Sequence, residues 1–64
     1  MFASIEIKEH LTLGKLREIV NKDLSEFPDT HKIHMCIHTE DDEEPQAPIC
    51  SIIADEEDIN FYNY

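Results

Sequence analysis

The hydrophobic pattern of this chain changes period twice and supports only one helix, which constrains the fold more than any other feature. Leu13, Leu16, Ile19, Val20, Leu24 and Phe27 recur mostly at spacings of three and four, the stripe of an amphipathic helix. Before it, Ala3, Ile5 and Ile7 alternate with Ser4, Glu6 and Lys8. After it, Ile33, Met35 and Ile37 alternate with His34, Cys36 and His38. Period two of this kind marks half-buried strands. One helix covers one face of a sheet and leaves the other open.

The boundaries follow from local chemistry. Strand one is expected over about residues 2–8. Thr12 is the expected N-cap of the helix, because its hydroxyl can accept from a free amide of the first turn. Lys15 stands where a capping box would place Glu, so the cap is incomplete. Gly14 costs about 1 kcal/mol against alanine in that turn and hints at close packing. Pro28 disfavours helical geometry at Phe27 and closes the helix there, and Asp29 with Thr30 supplies turn chemistry. Strand two is expected over residues 33–37. The acid-rich residues 39–48, with two prolines, read as a solvated loop. Residues 49–54 form a short apolar third strand with room for cover on both faces. Asp55 to Asp58 makes a tight turn, and residues 59–62 form strand four. The expectation is an α+β single domain over residues 1–64, one helix packed on a small, mostly antiparallel four-stranded sheet in the order β-α-β-β-β.

Charge narrows the choice of partner. The net charge is -10, and all five Lys and Arg lie at or before Lys32, whereas nine of the fifteen Asp and Glu lie after it. Such a surface repels phosphates, so direct nucleic-acid binding and attachment to anionic membranes are not expected. The expected partner is a protein with a basic surface. No apolar run reaches the roughly 18 residues of a membrane span, and residues 1–10 lack the pattern of a signal peptide, so a cytoplasmic location is expected. Cys36 and Cys50 are the only cysteines and read as free thiols in a reducing compartment. A chain of 64 residues buries only about 60% of its unfolded surface, so help from a second copy is a natural expectation.

Two sets of residues are candidates for function. The acidic set is Glu40, Asp41, Asp42, Glu43 and Glu44 in the long loop, with Asp55, Glu56, Glu57 and Asp58 in the turn. About six residues at roughly 3.3 Å each separate them, which makes two poles about 20 Å apart. Carboxylates along a rigid sheet edge can imitate a phosphate backbone, and a solubilising role is the competing explanation. The second set lies on the open sheet face. With Ile33, Met35 and Ile37 toward the helix, His34, Cys36 and His38 look outward, beside either Cys50, Ile52 and Ala54 or Ile49, Ser51 and Ile53. One of Phe61 and Tyr62 joins them. The candidate dimer or partner face taken here is His34, Cys36, His38, Cys50, Ile52 and Tyr62. His34, Cys36 and His38 lack the paired spacing of sequence-near zinc ligands, so no metal or other cofactor is expected. With one glycine and no phosphate-cradling loop, catalysis is not expected either.

Thr12-Leu13-Gly14-Lys15-Leu16, Phe27-Pro28-Asp29 and the Ile33, Met35, Ile37 strand together resemble a pattern of short, mostly uncharacterised phage and prophage proteins over residues 12–37. In size and charge the chain is also similar to phage anti-restriction and anti-CRISPR proteins. These resemblances imply a phage origin, and with it residence in the host cell cytoplasm, more than any activity; the charge asymmetry adds the expectation of a non-catalytic protein that binds and inhibits a host nucleic-acid-handling or defence protein. The alternative is a structural or regulatory assembly module that acts as a homodimer through its open sheet face.

Overall fold

The computed structural model describes residues 1–38 and 47–64. In chain order the elements are β1 (Ala3–Glu6), α1 (Leu13–Lys22), β2 (Lys32–Cys36), β3 (Ser51–Ala54) and β4 (Asp58–Tyr62). One helix and one four-stranded sheet make the expected α+β fold. The strand order is β1-β3-β4-β2, with β1 antiparallel to β3, β3 antiparallel to β4, and β4 parallel to β2. β1 and β2 therefore run parallel at opposite edges, joined through α1, with the β3–β4 hairpin inserted between them.

Thr12 caps α1 as expected, its Oγ1 accepting from the Lys15 amide at 3.1 Å. The helix ends five residues before Phe27. The amides of Asp23 and Leu24 both donate to the Ile19 carbonyl, and the Ser25 hydroxyl donates to the Lys22 carbonyl at 3.0 Å. These bonds satisfy carbonyls left without partners at the last turn and stop propagation before Pro28 can act. Leu24 stays buried and Phe27 half-buried, so the stripe still packs although the helix has ended. A methyl at Gly14 would meet only Thr12 Oγ1 at 3.9 Å, so close packing does not explain that glycine.

The register sorts the sheet into two faces. Ala3, Ala54, Ile59 and Ile33 form one cross-strand row, and Ile5, Ile52, Phe61 and Met35 form the next. Both rows lie on the helix side. Ile52 and Ala54 are fully buried there, in one cluster with Ile7, Ile19, Leu24, Ile59 and Phe61. Cover fails at β2, where Ile33 and Met35 remain 57% and 63% exposed. With its side chains a helix is about 10–12 Å across, little more than two strand spacings, so one helix is too narrow to close over four strands.

The opposite face carries Ser4, Glu6, Ser51, Ile53, Asp58, Asn60, Tyr62, Lys32, His34 and Cys36, which is largely polar. This corrects one expectation. Ile52 does not belong to the open face: the β3–β4 register turns it to the helix, and Ser51 and Ile53 take the outer positions.

Two stability measurements check this arrangement. Ile52→Ala should cost about 2–5 kcal/mol in urea unfolding, far more than Ile53→Ala, and the reverse ranking would refute the register. Gly14→Ala should stabilise the fold by about 0.4–1 kcal/mol, because its site is open and its backbone ordinary.

Candidate functional site

The acidic turn between β3 and β4 is built by its own first residue. Asp55 Oδ1 accepts from the amides of Glu57 and Asp58 at 3.0 and 2.9 Å, and the Asp55 amide donates to the Asp58 carbonyl at 2.9 Å. An aspartate that receives two amides in this way fixes a turn without glycine. The same two bonds hold its carboxyl below the ordinary 3.8, with smaller help from His31 and His34.

Neighbouring groups bond to much of this turn. Glu56 pairs with the Met1 ammonium, and His34 Nε2 donates to Asp58 Oδ1 at 2.9 Å. His31 Nε2 donates to the Asp55 carbonyl at 2.9 Å, and the Lys32 amide donates to the Glu57 carbonyl at 3.1 Å. Glu57 alone of the four carboxylates makes no ion pair or hydrogen bond with its side chain among the described residues. The turn is thus a hairpin device locked to β2 as much as an anionic patch. Glu40, Asp41, Asp42, Glu43 and Glu44 lie outside the described residues. Their flanks, the end of β2 and the start of β3, sit at the end of the sheet opposite the turn.

At that opposite end Asn63 does work that the sequence did not announce. It is the one buried polar residue among those described, at 6% exposure. Its Oδ1 accepts from the His38 amide at 2.6 Å and its Nδ2 donates to the His38 carbonyl at 3.0 Å. The side-chain amide thereby imitates a strand partner and prolongs the β2–β4 pairing past Cys36. Tyr64 lies edge-on to both His38 and Tyr62, with ring centroids 5.9 and 5.7 Å away. Partial desolvation, with Cys36 and Tyr64 nearby, raises the Tyr62 phenol above its ordinary value.

Of the candidate face, His34, Cys36 and Tyr62 share the open side, with Cys36 and Tyr62 in direct register. His38 continues their alternation beyond the strand. Cys50 precedes β3 with the parity of Ile52, and its thiol donates to the Tyr64 carbonyl at 3.4 Å. Cys36 is two strand spacings from β3, about 9.5 Å, which exceeds the reach of a disulfide without backbone movement. Both cysteines are free thiols. Among the described residues no three His, Cys, Asp or Glu converge as metal ligands. No helix of the described residues is long and apolar enough to cross a membrane.

What pattern reading missed is the strip at the uncovered edge. Val20, Ile33, Met35 and Ile37 are all exposed, and an open groove of about 460 Å³ runs between α1 and β2 beside Leu24 and Phe27. The alternation at Ile33 and Met35 reads as core, and nothing in it signals that the helix stops short. No protein-family model, curated protein or solved structure matches this chain.

The Asp55 contacts predict a pH dependence. A folded-state value below the unfolded one contributes stability above the unfolded value, which is lost as pH falls through the folded value. Asp55→Ala should therefore lower the melting temperature at neutral pH. Its gap from the parent chain should shrink as pH falls below 3.8, and a gap unchanged by pH would refute the role of the ionised carboxylate.

Proposed function

We propose that this is a non-catalytic binding protein that engages a basic protein surface through its carboxylates, and inhibits a nucleic-acid-handling or defence protein that way. The observation that carries this reading is charge segregation: nine acidic residues and no Lys or Arg follow Lys32. A basic channel built for phosphates presents the complementary field, and such complementarity acts mainly on the rate of encounter. With Asp55 and Asp58 tied into the hairpin, the weight of this reading falls on Glu40, Asp41, Asp42, Glu43 and Glu44, joined by Glu57. A phage origin and action in the host cytoplasm belong to the same proposal.

The alternative, an assembly module that uses the open sheet face, has less support. That face offers Ile53 as its one aliphatic side chain among polar neighbours, too little apolar surface for a stable dimer.

The test is capture of partners from bacterial lysate by the tagged protein, with washes at low and high salt. The expected result is a nuclease, helicase or restriction component that high salt releases. Joint replacement of Asp41, Asp42 and Glu43 by Lys should slow its association by about tenfold or more, with the melting temperature little changed. Binding that ignores both salt and charge reversal would leave the loop as a solubilising device only.

A further inference from the structure

The edge formed by β2 differs from every other part of the surface. All its backbone pairing is with β4, so its outer row of amides and carbonyls has no strand partner among the described residues. Sheet edges are ordinarily guarded by charge, proline or a bulge. The β1 edge carries Glu6 and the Met1–Glu56 ion pair. Residues 30–38 hold no acid and no proline, and their only permanent charge is Lys32 at one end. On the helix side of this unguarded edge stand Ile33 and Met35, with Val20 across the open groove.

We infer that two copies of this chain associate through β2, pairing antiparallel about a twofold axis at His34 to form one eight-stranded sheet. Three features select a second copy. Charge is the first: for a chain of net charge -10, residues 30–38 of this edge bring no carboxylate of their own to the joint. The second is self-complementarity. An antiparallel register centred on His34 sets Ile33 opposite the partner's Met35, and Met35 opposite the partner's Ile33, with all four on the helix side. The third is geometry: a twofold axis normal to the sheet keeps both helices on one side, so the two open grooves merge over these four side chains. The contact is small, near the lower bound of about 1,200 Å² for stable interfaces, so a dissociation constant of roughly micromolar order or weaker is expected.

The arrangement has an electrostatic signature. Antiparallel pairing brings each copy's Asp55–Asp58 turn to the end where the partner's β2 finishes, and it joins two chains that each carry a net charge of -10. This repulsion between like-charged copies opposes association, and salt screens it. Dimerisation should therefore tighten with salt, opposite to the binding of a basic partner, so the two proposals fail independently.

Sedimentation equilibrium on the full chain, from about 10 μM to about 1 mM and at about 0.05 and 0.5 M salt, tests the inference. The mass should rise from 7.5 kDa toward twice that value, at lower concentration in the higher salt. Met35→Glu, at an exposed position, should keep the circular dichroism spectrum and weaken association at least tenfold. Ser51→Arg, on the open face, should leave association unchanged. Amide exchange along β2 should slow as the parent chain is concentrated. A monomer throughout, an unaffected Met35→Glu dimer, or a dimer broken by Ser51→Arg would each overturn it.

Discussion

The limited reach of α1 governs this structure. Its ten residues bury Ile19 against the middle of the sheet, and the seven-residue core is what that contact seals. The buried strand residues lie on β3 and β4, Ala3 and Ile5 of β1 pack against them, and Ile33 and Met35 of β2 stay exposed. The exposed apolar strip on β2 follows from that limit, whereas the polar far face follows from the alternation of side chains along each strand. In so small a domain the core has little to spare, because the fraction of surface buried falls with size. The Asp55 turn and the Asn63 clasp matter for the same reason, since each replaces missing hydrophobic area with directed hydrogen bonds at one end of β2.

Those two devices also explain how a parallel edge strand holds its place. β2 reaches the sheet through α1 and runs beside β4, a pairing that no short turn can enforce. At one end the Lys32 amide and the rings of His31 and His34 bond to the β3–β4 turn. At the other, Asn63 takes both backbone groups of His38. The strand is pinned at its ends, while among the described residues its outer edge has no strand partner and Ile33 and Met35 stay exposed. Rigidity combined with an unpaired edge suits an association surface, since little order has to be gained on binding.

Charge and apolar surface are divided in a way that separates two kinds of contact. The carboxylates gather after Lys32, and the apolar strip lies in the one long stretch of a sheet edge that lacks them. A basic partner and a second copy would consequently use different regions and respond to salt in opposite directions. Of the residues singled out by pattern, His34, Cys36 and Tyr62 do share a face, and Ile52 does not. The parity of β3 was ambiguous because Ile49, Ile52, Ile53 and Ala54 offer no clean alternation, and only pairing with β4 resolves it.

The amino-acid sequence is enough to set the order of elements, the Thr12 cap and the one-helix, four-strand composition, because these rest on periodicity and on short-range hydrogen bonding. It also determined the segregation of charge, which is a property of the chain before it folds. Three-dimensional packing is needed to place β4 between β3 and β2 and to leave Ile33 and Met35 facing solvent. Those outcomes depend on which strands compete for the limited cover of a single short helix, and that competition is settled between residues far apart in the chain.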